Sequence, residues 1–317
     1  MDSRTYVWGG GMDGIRATRA GRFLDLRALA CLDHLRFSTR HRIEGSYSGR
    51  HSSRRQGGAG EFVDFREYVE GEDLRRLDWK VLARTGRAYL RLYRDETNLA
   101  CTLAIDASGS MRFAGRGAGG VRGSKLEYAQ YLATALSHVI TRQQDQAGLA
   151  LLAEGLEAHV PPGSTPAHAA GIQRAIEGIE TRPVTDLATG LRELFGRVVS
   201  RGVLVVMSDF LVDDLERVFA SVRLFRHRHW EVVILHLVDP DEERLPEGLA
   251  YRFVGLEDEG QVDCSPAEIR GLYEERFAAY AGAVRTLALA AGCDYRWVST
   301  AVPYLQTLGG FLVERSL

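Results

Sequence analysis

The apolar rhythm of the chain changes near residue 98. Beyond that point Leu99–Ile105, Gln146–Ala153, Gly202–Ser208, Glu231–Val238 and Asp294–Val298 read as strands. Between them, Lys125–Thr141 places Leu126, Ala129, Leu132, Ala133, Leu136 and Ile140 on one helical face. Further helices are expected over His168–Ile179, Asp186–Val199, Asp213–Arg226 and Pro266–Ala291, and from Pro303 onward. Strands and helices alternating at these lengths predict an α/β fold: a doubly wound, mainly parallel sheet with helices on both faces. The runs GVLVVM and EVVILHLV suit central strands, which are buried on both sides.

Before residue 98 the pattern is less regular. A helix is expected over Phe23–Phe37, an aperiodic loop over Ser38–Gly60, and a strand over Tyr89–Tyr93 after turns and short helices. The expected organisation is a flexible tail (1–21), an irregular α+β segment packed on the main domain (22–97), and the α/β domain itself (98–317). In the middle segment Phe62, Phe65, Tyr68 and Trp79 are expected to pack against the sheet edge. Arg66, Arg75, Arg76, Arg84, Glu67, Asp73 and Asp78 are expected to form ion pairs that fix this layer.

Composition narrows the function classes. Hydrophobic residues are 45% of the 317-residue chain and charged residues 26%, with a formal charge of −2, so no general affinity for nucleic acid or anionic membrane is expected. Residues 1–55 carry 11 arginines against five acids, but almost no aromatics interleave there for base stacking, so a basic protein-facing or solvated surface is the better reading. Cys31, Cys101, Cys264 and Cys293 have no metal-ligand spacing and suggest no disulfide framework. The N-terminal residues lack the apolar centre of a signal peptide, and the longest apolar runs are strand-sized. No membrane span and a cytoplasmic location are therefore expected.

The chemistry gathers at strand ends. In open α/β sheets ligands bind beyond the carboxyl ends of the strands. One strand ends in LAIDASGSM, with Asp106, Ser108 and Ser110 in the following turn; another ends in VLVVMSDF, with Asp209 at its tip. Between them Thr185-Asp186 opens a helix. Two aspartates and three hydroxyls are hard oxygen donors suited to Mg²⁺, which takes near-octahedral oxygens at about 2.0–2.1 Å. With so few anionic ligands the ion would keep an avidity for one more carboxylate. Taken singly, the aspartates and serines read as loop caps, and Thr185 as the N-cap of its helix.

This ordered set resembles the metal-ion-dependent adhesion site of von Willebrand factor A domains. The resemblance implies that Ser108, Ser110 and Thr185 are direct ligands and that Asp106 and Asp209 act directly or through water. It implies Mg²⁺, with Mn²⁺ and Ca²⁺ as alternatives. The stretch GAGEFVDFREYVEGEDLRRLDWKVLARTG also resembles the bacterial family of unknown function DUF58, from about Gly49 to the C-terminus. The matching residues are Gly60, Glu61 and Phe62; Arg66, Glu67 and Tyr68; Gly71 and Asp73; Arg76, Asp78 and Trp79; Ala83 and Arg84. Glu72 departs from that pattern, as does Pro183-Val184, where a glycine is common. The family resemblance implies a non-enzymatic interaction module whose partner is a MoxR-type AAA+ ATPase, working in protein assembly or maturation.

Other motifs weigh less. Gly115–Gly120 matches GxGxxG, but its glycines start well past the strand end, so Gly115–Gly123 reads as a flexible insertion at the rim of the site. His227 and His229 lack a third ligand and read as solvated helix-end residues. A metal-dependent hydrolase of phosphatase or nuclease type, using the same aspartates, is the alternative function.

Overall fold

The computed structural model describes residues 21–32, 34–39, 61–69, 77–94, 99–117, 120–121, 123–198, 201–245, 251–257 and 260–316. In chain order its elements begin with α1 (Leu26–Leu29), β1 (Glu61–Glu67), α2 (Trp79–Thr85), β2 (Tyr89–Arg94) and β3 (Ala100–Asp106). The small strands β4 (Arg116–Gly117) and β5 (Gly120–Val121) precede α3 (Lys125–Arg142), β6 (Gln146–Leu152), β7 (Leu156–Gly163), α4 (Pro166–Glu177) and α5 (Leu187–Arg197). Next come β8 (Val203–Ser208), α6 (Leu215–His227), β9 (Glu231–Val238), α7 (Pro240–Glu243), β10 (Tyr251–Val254) and β11 (Gln261–Cys264). The chain closes with α8 (Pro266–Ala290), β12 (Asp294–Ser299) and α9 (Tyr304–Ser316).

Six strands form the main sheet in the order β12-β9-β8-β3-β6-β7. All neighbours run parallel except β7, which is antiparallel to β6 at one edge. The expected doubly wound, mainly parallel sheet is therefore present. Its central strands β3, β8 and β9 are apolar on both faces because both are covered. Leu103 and Ile105 of β3, with Val203, Val205 and Met207 of β8, pack with Leu132, Leu136 and Ile140 of α3 and with Leu308 and Phe311 of α9. Ala104, Leu204 and Val206 point the other way, onto Leu191 and Leu194 of α5, Phe219 and Phe225 of α6, and Val284 and Ala288 of α8. Helices α3, α4, α5 and α6 start on side-chain caps: Ser124 accepts from Glu127 N, Thr165 from His168 N, Asp186 from Thr189 N and Asp214 from Arg217 N.

Several elements differ from the sequence expectation. The helix over Phe23–Phe37 shrinks to α1 and one 3-10 turn, Ala30–Leu32. Tertiary packing holds this stretch instead. Phe23 meets Tyr131 of α3 edge-on at 4.9 Å, and Phe37 lies under the Arg315 guanidinium, 4.9 Å from its carbon. Phe23, Leu29, Leu32 and Phe37 therefore join the α3–α9 core. β1 pairs with β2 in a separate antiparallel ladder, a strand where turns were expected. Trp79 does not pack on the sheet: it is 59% exposed at the start of α2. Asp78 is buried, accepting from Lys80 N and Val81 N as the α2 N-cap. Residues 1–20, most of the 38–60 loop, and Gly71, Glu72, Asp73, Arg75 and Arg76 lie outside the described residues.

Candidate metal centre

β3 ends at Asp106 in the middle of the sheet, and the chain turns at once through Ala107 and Ser108 into a short 3-10 turn, Gly109–Arg112. Asp106 is 1% exposed, and each of its oxygens is already engaged: Ser108 N donates to Oδ1 at 2.9 Å, and Ser208 Oγ donates to Oδ2 at 2.5 Å. The Ser108 and Ser110 hydroxyls are 3.0 Å apart and both buried. β8 delivers Ser208 and Asp209 to the same edge. Phe210, the next residue, has φ of 54°, a left-handed conformation uncommon for a bulky side chain, and its N–H bonds to Ser208 Oγ. The turn is thus fixed from both sides.

Thr185 reaches this edge on a different segment. Arg182 N donates to Ala107 O at 2.7 Å, and Asp186 N donates to Ala153 O at 2.7 Å. The loop between these anchors runs beside the Asp106 turn. The helix cap is Asp186, not Thr185, with its Oδ1 accepting from Thr189 N and its Oδ2 paired to Arg217. The Thr185 hydroxyl is therefore not needed for capping, and its oxygen is buried with no hydrogen-bond partner. A buried hydroxyl without a partner costs free energy, and a cation is one way to satisfy it.

The electrostatics have one unexpected member. Lys125, at the start of α3, is fully buried with its Nζ 2.6 Å from Asp209 Oδ2 and also bonded to Glu242 Oε1. Burial alone would lower the Lys125 pKa; the two carboxylates outweigh it and hold the ammonium above its ordinary value. Burial pushes Asp209 up as well, but Lys125, Leu211 N–H and the Ser110 hydroxyl bring it below the usual carboxylate range. Asp106 has no such ammonium. Burial first, and then the charge of Asp209, push it up to about 7. The donor set thus has a position short of positive charge at Asp106 and a hydroxyl short of a partner at Thr185, which is what a divalent cation would supply.

The structure brings Asp106, Ser108, Ser110 and Asp209 into one network and holds the Thr185 loop against it. Among the described residues no group of three or more His, Cys, Asp or Glu is poised around a metal; this set is rich in hydroxyls instead. Sequence reading missed four contributors: Lys125, Ser208, Glu242 and Glu257, whose Oε1 accepts from Ser110 N at 2.9 Å. Lys125 had a faint signal, as one of two lysines in an otherwise arginine-based chain. At the start of the glycine-rich insertion, Gly115 N bonds to Asp239 and Arg116 N to Asp241. His227 and His229 are exposed, and none of the four cysteines is in a disulfide.

The mainly parallel six-stranded sheet with one antiparallel edge strand, helices on both faces and a polar cluster at the ends of its two central strands is the arrangement expected of a von Willebrand factor A-like domain. The family model described as "Protein of unknown function DUF58" matches residues 64–281, and the chain belongs to that family. Uncharacterized proteins of Mycobacterium tuberculosis and Mycobacterium bovis are 28% identical over 227 residues, covering 70% of this chain and 69% of theirs. Among solved structures, the conserved hypothetical protein BatB from Bacteroides thetaiotaomicron is similar, with a TM-score of 0.44 and 16% identity over 69% of this chain and 98% of that one. The SpRpn10 VWA domain is similar with a TM-score of 0.38 and 11% identity, over 67% of this chain and 94% of its own. Among the described residues no helix is long and apolar enough to cross a membrane.

Proposed function

We propose that this chain is a non-enzymatic protein-interaction module that binds a divalent cation, Mg²⁺ first, through Asp106, Ser108, Ser110, Thr185 and Asp209. The cation then captures an acidic side chain of a partner protein. The observation that carries this reading is the buried Asp106–Ser108–Ser110–Asp209 network beside a buried Thr185 hydroxyl that has no hydrogen-bond partner. When bound, the cation supplies an electron-poor centre that favours one further anionic oxygen. The protein side keeps it so. Lys125 neutralises Asp209, and hydroxyls rather than carboxylates fill most of the donor set. Ser208 and the Ser108 N–H orient Asp106, and the strained Phe210 turn holds Asp209 in place.

The partner class follows from the family resemblance: a MoxR-type AAA+ ATPase presenting a surface carboxylate. The test is affinity capture of the full chain with such an ATPase, in Mg²⁺ and in EDTA. Capture in Mg²⁺ that is lost in EDTA and in Thr185→Ala supports the proposal. Capture indifferent to both contradicts it. Phosphate-ester or nucleic-acid turnover abolished by Asp106→Ala would instead establish the hydrolase reading.

A further inference from the structure

Between α7 and α8 the chain makes an excursion outside the main sheet, the hairpin β10–β11. Arg252 and Asp263 lie opposite each other in its antiparallel ladder and pair, with Nε 2.7 Å from Oδ1 and Nη2 3.0 Å from Oδ2. Gly255 N donates to Gly260 O at 2.7 Å at its turn end, next to Leu256 and Glu257. The hairpin does not hang free. Leu256 and Glu257 are brought onto the Asp106–Ser110 turn by three contacts of different kinds. Arg112 Nη2 donates to the Leu256 carbonyl at 2.8 Å. Ser110 N donates to Glu257 Oε1 at 2.9 Å. Gly109 permits the approach, since a Cβ there would lie 2.3 Å from the Leu256 carbonyl oxygen.

A carboxylate is thus held against the backbone of a residue whose own hydroxyl belongs to the donor set. We infer that Glu257 is an internal carboxylate that occupies the place a partner's acidic side chain would take, so that the β10–β11 hairpin is a latch over the cation site. This inference rests on the cation reading proposed above and adds its regulation: a partner must displace Glu257 as well as bind. Mass action then lowers the partner's apparent affinity by the fraction of molecules in which the latch is closed. Opening the latch breaks the Arg112 and Ser110 contacts and leaves the main sheet untouched.

Water-proton relaxation by bound Mn²⁺ tests it, because the enhancement reports how many exchangeable waters the bound ion carries. The full chain is compared with Glu257→Ala and Arg112→Ala, and with Ser110→Ala as the reference for occupancy of this site. Mn²⁺ is expected to bind the wild-type chain and to bind poorly to Ser110→Ala. In Glu257→Ala the enhancement is expected to rise by the equivalent of one exchangeable water. Added acetate should lower it more than in wild type, and Arg112→Ala should lie between the two. Equal enhancement and equal acetate response in wild type and Glu257→Ala would overturn the latch while leaving the cation site standing. Absence of Mn²⁺ binding, or binding indifferent to Ser110→Ala, would overturn the cation reading and the latch with it.

Discussion

Lys125 Nζ lies 2.6 Å from Asp209 Oδ2 in a site where both side chains are almost fully buried, and the same ammonium bonds to Glu242. A buried ion pair contributes little relative to apolar packing, but removing one partner strands the other's charge, at a cost of about 3–5 kcal/mol. Lys125→Met is therefore expected to lose about that much in urea unfolding without divalent cations. Added Mg²⁺ should restore part of the loss by supplying positive charge beside Asp209. A loss under about 1 kcal/mol would show that the carboxylates are neutralised in another way.

Thr185 separates a structural role from a ligand role. Its hydroxyl is buried without a partner, an arrangement that costs about 1–3 kcal/mol, so Thr185→Val should leave metal-free stability unchanged or slightly raised. The same variant should lose the rise in Tm that Mg²⁺ gives the wild-type chain. Thermal melts with Mg²⁺ and with EDTA check both halves. A destabilised metal-free variant would show that the hydroxyl has a structural role.

His236 gives the fold a pH dependence of definite sign. Its ring is 2% exposed, with Nδ1 2.9 Å from the Tyr295 hydroxyl, and burial lowers its pKa to about 4. The unfolded chain binds a proton on this ring near the ordinary value of about 6.5, whereas the folded chain waits until about pH 4. The stability this residue contributes is therefore complete above about pH 6.5 and falls as pH drops towards 4, by roughly 2–3 kcal/mol over the window. Urea unfolding at pH 7 and pH 4.5 should show His236→Gln losing less stability on acidification than wild type. Equal acid sensitivity would contradict the assignment.

The cysteines divide by access. Cys101 and Cys293 are buried, and burial raises both thiols, Cys293 to about 12, whereas Cys31 is exposed. Brief alkylation of the native chain followed by peptide mapping should label Cys31 and spare Cys101 and Cys293. Rapid native labelling of Cys101 would mean that the β3 core opens readily.

What was legible in the sequence follows from where each element sits. The strands β3, β8 and β9 are covered on both faces, so their apolar runs are unbroken and their ends, Asp106 and Asp209, stand out. β7 was not legible. It is an edge strand, half exposed, and carries Pro161-Pro162, which only an edge tolerates. The β10–β11 hairpin has Val254 and Val262 exposed and lacks an apolar face to announce it. Lys125 resembled any helix-start lysine, because nothing local reveals that Asp209 and Glu242, 84 and 117 residues away, close around it. Glu257 meets Ser110 across 147 residues, a contact set by tertiary structure alone.

The proposed binding of a divalent cation by Asp106, Ser108, Ser110, Thr185 and Asp209 can be measured by calorimetric titration of Mg²⁺ into chelator-stripped protein. Saturable binding near one ion per chain is expected, abolished in Asp106→Ala and weakened at least about tenfold in Thr185→Val, a variant expected to remain fully folded. No saturable binding by the wild-type chain, or equal binding by wild type and Thr185→Val, would contradict it.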